Sequence, residues 1–124
     1  MYKILIADDE GIVRESLKFI IDKDFNDCEV YLAKSGRQAI ELAEEHRPDI
    51  ALLDIQMPGI NGLSALREIR SIETHIRALI LTAFDNFDYA KEALELGATD
   101  YIMKPIERKK ITEELTKLIH DIDM

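Results

Sequence analysis

Ile50-Ala51-Leu52-Leu53-Asp54 is an apolar run that stops at a carboxylate, and Ile55-Gln56-Met57-Pro58-Gly59 follows it. Pro58 and Gly59 turn the chain into a loop and exclude a longer strand. A strand apolar at every position is buried on both faces, as in a parallel α/β sheet. An Asp where such a strand leaves the core lies at the carboxyl edge of the sheet, where open α/β folds bind their ligands. Taken alone, Asp54 also reads as an ordinary turn or helix cap. The other strand ends decide between the two.

Upstream, Ile4-Leu5-Ile6-Ala7 is a second buried strand, and it ends in Asp8-Asp9-Glu10. Gly11 to about Lys23 carries Val13, Leu17, Ile20 and Ile21 at helical spacing. The three acids before it suit the positive end of that helix's dipole. Glu29-Val30-Tyr31-Leu32-Ala33 alternates polar with apolar at its start and reads as an edge strand. Ser35-Gly36-Arg37-Gln38 has the form of a capping box, with Ser35 as cap and Gln38 reaching back. Its helix turns Ala39, Ile40 and Ala43 inward and ends before Pro48, which cannot extend it.

Downstream of Asp54, Asn61 caps a helix that buries Leu63, Leu66 and Ile69. Ala78-Leu79-Ile80-Leu81 is again apolar throughout and ends at Thr82. Asp85 and Asn86 start a helix with Phe87, Ala90, Ala93 and Leu94 inward, and Gly97 stops it. A fifth strand, Tyr101-Ile102-Met103, ends at Lys104-Pro105. Ile111, Leu115, Leu118, Ile119 and Ile122 form one stripe on the last helix. Five strands alternating with five helices through short connections predict an α/β fold, a doubly wound parallel sheet of flavodoxin-like type. Right-handed crossovers and the partly polar second strand favour the order 2-1-3-4-5. No repeat, low-complexity tract or linker divides the chain, so residues 1–124 are expected to form one domain.

All the strand ends of a parallel sheet lie on one edge. Asp8, Asp9 and Asp54 should therefore converge, with the Thr82 hydroxyl and the Lys104 ammonium beside them. Two carboxylates about 5 Å apart repel by about 3 kcal/mol at an effective dielectric near 20. A hard divalent cation with oxygen ligands removes that penalty, and Mg²⁺ characteristically adds a phosphate oxygen to one or two carboxylates. The chemistry that uses these parts is attack by a carboxylate on a phosphorylated donor, giving an aspartyl-phosphate. Asp54 is the candidate nucleophile, Lys104 the ion-pair partner of the phosphoryl group, and Thr82 a hydrogen-bond donor to it.

Composition narrows the setting. The 124 residues are 47% hydrophobic and 33% charged, as in a soluble globular protein. The net charge of −9 argues against direct binding of nucleic acid, which rests on clustered Lys and Arg. No apolar stretch is long enough to cross a bilayer, and the N-terminal residues lack a signal-peptide cleavage site. Cys28, the single cysteine, excludes an internal disulfide and reads as a small core residue in a reducing compartment. A cytoplasmic location is expected. His46, His75 and His120 have no metal-pair spacing and read as solvated surface residues.

The pieces Asp8-Asp9-Glu10, Leu52-Leu53-Asp54-Ile55-Gln56-Met57-Pro58-Gly59-Ile60-Asn61-Gly62, Leu81-Thr82-Ala83 and Lys104-Pro105 agree in order and spacing with one family. The chain resembles, over essentially its whole length, the receiver domain of bacterial two-component response regulators. The resemblance implies that Asp54 accepts a phosphoryl group from a sensor histidine kinase. It also implies Mg²⁺, or Mn²⁺ in its place, held by Asp8 or Asp9, or by both through water, together with Asp54 and the Gln56 backbone carbonyl. Thr82 and Lys104 would bind the phosphoryl group, Tyr101 would swing inward as Thr82 moves, and the Lys104-Pro105 bond would be cis. Gln56 and Phe84 occupy the two positions that tune dephosphorylation, and a bulky Phe84 leads us to expect slow self-hydrolysis. Such a domain is a switch that catalyses its own phosphorylation and is not an enzyme for a separate substrate.

The run Thr82-Ala83-Phe84-Asp85-Asn86-Phe87-Asp88-Tyr89-Ala90 further resembles receivers that precede an AraC-type helix-turn-helix output domain. The chain then reads as an excised receiver or a stand-alone one; excision from a transcription regulator is favoured, with DNA binding in a missing C-terminal domain. A phosphorylation-dependent homodimer through the fourth helix and fifth strand, including Phe87, Tyr89 and Tyr101, is a further expectation. Two other classes compete. A Mg²⁺-dependent phosphohydrolase would need an acid/base carboxylate two residues past the nucleophile, where Gln56 stands. A receiver-like interaction module that has lost phosphorylation would not need all five site positions filled.

Overall fold

The computed structural model describes residues 1–83, 87–98 and 100–124, with the side chains of 87–90 left aside. Its elements are β1 (Tyr2–Ala7), α1 (Gly11–Asp24), β2 (Cys28–Ala33), α2 (Gly36–His46), β3 (Ile50–Asp54), α3 (Gly62–Ile72), β4 (Arg77–Thr82), α4 (Phe87–Glu95), β5 (Asp100–Met103) and α5 (Arg108–Asp123). The strands form one parallel sheet in the order β2-β1-β3-β4-β5, as the strand patterns predict. The Lys104-Pro105 bond is cis.

Alternation along each strand divides the core in two. Leu5, Ala7, Ala33, Ala51, Leu53, Ala78 and Ile80 face α2, α3 and α4. Ile4, Ile6, Ile50, Leu52, Leu79 and Leu81 face α1 and α5 instead. The first set is rich in alanine, so small side chains let α2 and α3 sit close to the sheet. The second set is all Ile and Leu, each worth about 1.5–3 kcal/mol when fully buried. Leu17 and Ile21 of α1 and Ile111, Leu115 and Leu118 of α5 close that side. No helix among the described residues is long and apolar enough to cross a membrane.

The helix ends follow their sequence signals, with small departures. Ser35 Oγ accepts from Gln38 N at 3.1 Å, and Asn61 Oδ1 accepts from Ser64 N at 2.9 Å, so both caps form. Gln38 reaches one residue further back than a capping box requires, its Oε1 accepting from Lys34 N at 2.8 Å. At the end of α4, Gly97 takes φ +89°, with Ala98 N donating to Ala93 O at 2.9 Å and Gly97 N to Leu94 O at 3.0 Å. This is a Schellman stop, which needs the left-handed region that glycine enters freely.

Three expectations are corrected. Leu94 is 51% exposed while Ala93 is buried, because successive helical residues point about 100° apart and only one of them can face the sheet. Cys28 is half-buried at the first position of an edge strand, packed against the α1–α5 side of the core rather than within it; burial and then the neighbouring Asp27 push its thiol up to about 11. His46 is partly covered, its ring stacked on Tyr31 with centroids 4.1 Å apart. His75 and His120 are exposed, as expected.

Candidate functional site

Sheet register brings the site together. Ala7 pairs with Leu53, so the residues that follow, Asp8 and Asp54, leave neighbouring strands at the same level. Thr82 pairs with Met103, which sets Lys104 one step beyond. Backbone bonds continue the ladder past the strands: Asp8 N to Ala33 O at 3.1 Å, Ile55 N to Leu81 O at 3.0 Å and Lys104 N to Thr82 O at 2.7 Å. Gly62 tightens the β3–α3 loop from behind, since a Cβ there would lie 2.1 Å from the Asp54 carbonyl oxygen.

The resulting cluster is buried and charged. Asp8 is 0% exposed and Asp54 3%. Lys104 Nζ lies 2.8 Å from Asp8 Oδ2, 3.3 Å from Asp54 Oδ2 and 3.5 Å from Glu10 Oε1. Burial, and then the charge of Asp8, push the Asp54 carboxyl from 3.8 up to about 6, against the attraction of Lys104 and the Gln56 N–H. Burial also opposes the Lys104 charge, yet its close ion pairs with Asp8 and Asp54 hold the ammonium above its usual value.

Of the other predicted site residues, Thr82 is buried at the end of β4. Gln56 is exposed, and its N–H donates to Asp54 Oδ1 at 3.3 Å. Gln56 and the exposed Asp9 line a shallow recess of about 430 Å³ together with Met57, Pro58 and Asn61. Tyr101 lies half-buried on β5 against the core on the α2–α4 side. Phe84 falls outside the described residues, as do the side chains of Phe87 and Tyr89.

Carboxylate oxygens of Asp8, Asp9 and Glu10 lie within 4.8 Å of one another. Asp54 stands outside that group and joins Asp8 through the ammonium of Lys104. Asp8 Oδ2 is fully buried and accepts no aligned hydrogen bond, although Lys104 Nζ is 2.8 Å away. An under-used buried carboxylate oxygen beside further oxygen donors fits a hard divalent cation such as Mg²⁺ or Mn²⁺.

Two neighbours of the site have roles the sequence reading did not assign. Beyond its place before the helix, Glu10 contacts Lys104, and its N–H donates to Asp8 Oδ1 at 2.9 Å. Arg14 was not singled out, and its Nη1 donates to the Asp8 backbone carbonyl at 2.7 Å. Its place one turn into α1, four residues past the N-cap Glu10, is the one signal the sequence offers.

The chain is similar to known proteins of one family. The family model for the response regulator receiver domain matches residues 4–116. The transcriptional regulatory protein HptR of Staphylococcus aureus is 34% identical over 123 residues, covering 98% of this chain and 48% of that protein. The chain spans about half the length of the curated relatives it matches. Among solved structures, the REC domain of AraT, a response regulator from Geobacillus stearothermophilus, has a TM-score of 0.90 at 35% identity, covering 98% of this chain and 95% of that one. A chain of the CheX-CheY-BeF3-Mg²⁺ complex from Borrelia burgdorferi has a TM-score of 0.88 at 26% identity, covering 95% and 89%. With the family model spanning most of its length and the sheet order shared with solved relatives, this chain belongs to the response regulator receiver domain family.

Proposed function

We propose that this receiver domain is a phosphorylation-driven switch in which Asp54 accepts a phosphoryl group from a sensor histidine kinase and thereby controls an output, transcription. One observation carries the reading: a nearly buried Asp54 shares the Lys104 ammonium with a fully buried Asp8 at the carboxyl edge of the sheet. An Asp54 oxygen attacks phosphorus, forming a P–O bond as the P–N bond of the donor's phosphohistidine breaks. The electron pair leaves with the imidazole, which takes up a proton. Lys104 pairs with the phosphoryl oxygens as they approach, and the Thr82 hydroxyl donates to one of them. Bound by Asp8, Asp9, Asp54 and the Gln56 carbonyl, Mg²⁺ or Mn²⁺ would neutralise charge on the phosphoryl oxygens. The relative solved with BeF3 and Mg²⁺ supports that choice of cation.

The phosphoryl group adds about −1.5 to −2 charge where carboxylates already crowd. Drawing Thr82 inward opens space for Tyr101, which biases the α4–β5 surface between two arrangements. A groove of about 530 Å³ beside Lys104, lined by Ile12, Val13, Ile20 and Ile106, gives a kinase helix an apolar seat. Similarity to a protein named as a transcriptional regulator supports a DNA-binding partner domain, of AraC type on the residues 82–90. The reading includes a cytoplasmic location, no DNA contact by this acidic domain itself, and a homodimer that forms on phosphorylation. A monomer by analytical ultracentrifugation after phosphorylation would remove the dimer from it.

Intact-mass spectrometry after incubation with a small acyl phosphate and Mg²⁺ tests the switch. One added phosphoryl group is expected, absent from Asp54→Asn and from a chelated sample. No adduct under any condition would leave a phosphorylation-independent interaction module as the reading.

A further inference from the structure

Each polar atom of Asp8 has its own neighbour. Its N–H continues the sheet, donating to Ala33 O at 3.1 Å. Its Oδ1 accepts from Glu10 N at 2.9 Å, which folds the carboxylate back over the β1–α1 loop. Its Oδ2 faces Lys104 and accepts no aligned hydrogen bond. That leaves the backbone carbonyl, past the end of the sheet on a residue with no exposed surface. It accepts from Arg14 Nη1 at 2.7 Å.

Arg14 is a cation one helical turn from three crowded carboxylates. Electrostatics alone would send a guanidinium to one of them, where a two-pronged contact is strongest. Among the described residues Arg14 forms no ion pair and takes the Asp8 carbonyl instead. We propose that Arg14 is a positioning residue for the divalent cation: it fixes the Asp8 backbone so that Asp8, Asp9 and Glu10 stay converged and the Asp8 carboxylate oxygen remains available. This inference rests on the reading of the acidic cluster as the cation site.

The two accounts of Arg14 predict opposite signs. As a bare positive charge it repels a cation, so its removal should tighten Mg²⁺ binding. As a positioning residue it holds the ligands, so its removal should weaken binding about tenfold, as loss of groups that orient ligands does. Isothermal titration with MgCl₂ decides between them, using wild type, Arg14→Met and Arg14→Lys, with circular dichroism in EDTA to show that each is folded. Binding about tenfold weaker in Arg14→Met, with Arg14→Lys between it and wild type, is the result expected. Arg14→Met binding Mg²⁺ as tightly as wild type, or more tightly, overturns the proposal. So does equal loss in both variants, since lysine keeps the charge and one donor. Should Arg14→Met not fold, Arg14→Lys alone carries the test: binding weakened by clearly less than about tenfold supports the proposal, and unchanged binding or a full loss of about tenfold overturns it. A wild type that binds no Mg²⁺ sinks the cation site itself, and this inference with it.

Discussion

Replacing Asp54 by Asn should stabilise the metal-free protein. In the fold, burial and the Asp8 charge hold the Asp54 carboxyl up to about 6, against 3.8 for an ordinary Asp. The folded state therefore binds the Asp54 proton more tightly than the unfolded chain does. Its contribution to stability is fully present below about pH 4, is lost as pH rises through about 6, and stays lost above that. The deficit at pH 7.5 comes to about 2–3 kcal/mol, from about 1.4 kcal/mol for each pH unit. Asn keeps the size of Asp54 without the charge, and Lys104 keeps Asp8 at 2.8 Å. Urea unfolding by circular dichroism in EDTA, extrapolated linearly, reads the difference.

The variant should be about 2–3 kcal/mol more stable at pH 7.5, with the gap closing between pH 6 and 4 as wild type regains its proton. Mg²⁺ should narrow the gap from the other side, because it stabilises wild type by about 1.4 kcal/mol at ten times its dissociation constant. Asp54→Asn should take up less of that gain, because the proposed cation site counts an Asp54 oxygen among its ligands. A variant no more stable than wild type in EDTA at pH 7.5 would refute the reasoning. Lys104 would then compensate Asp54 in full, and the site would store no electrostatic cost for a cation or phosphoryl transfer to relieve.

Other perturbations read other parts of the fold. Arg70 donates to four backbone carbonyls, those of Thr74, Ile76, Leu96 and Gly97, so Arg70→Met should cost about 2–4 kcal/mol in urea unfolding and speed hydrogen exchange around Leu96–Ala98; a loss under about 0.5 kcal/mol would show that water replaces the guanidinium freely. Gly62→Ala sets a methyl 2.1 Å from the Asp54 carbonyl oxygen and should cost about 3 kcal/mol or more, with phosphorylation impaired in whatever folds; a wild-type melting temperature would mean that the β3–α3 loop yields. The phosphorylated domain should decay slowly in buffered Mg²⁺ if Phe84 shields the acyl phosphate, and a half-life of seconds by phosphate release would rule that out.

The sheet order and the meeting of Asp8, Asp54 and Lys104 were legible because each follows from periodicity. Strands apolar at every position must be central, and central parallel strands put their last residues on one edge. What the sequence did not mark are contacts to backbone carbonyls. Arg14 on Asp8 and Arg70 on Leu96 and Gly97 both depend on the path of a loop, and a carbonyl looks the same beneath every residue type. Leu94 was misplaced for a related reason: nothing local says which of two adjacent apolar residues on α4 meets the sheet, and the smaller Ala93 took that position.

The same distinction separates what this site conserves as topology from what it adjusts as chemistry. Register alone delivers three charges to one edge, and it would do so with any side chains at those positions. Whether they form a usable site turns on the residues that hold the loops. Gly62 lets α3 approach the Asp54 carbonyl, the Glu10 amide turns one Asp8 oxygen away, and Arg14 pins the Asp8 backbone. With these in place, Lys104 can span two carboxylates and still leave the buried Asp8 Oδ2, its 2.8 Å neighbour, without an aligned hydrogen bond. A cluster fully neutralised by its own side chains would have nothing to gain from a cation or a phosphoryl group. On the proposed function, that incomplete pairing is what a cation or a phosphoryl group relieves, and the share of the cost that falls on Asp54 is the quantity that Asp54→Asn measures.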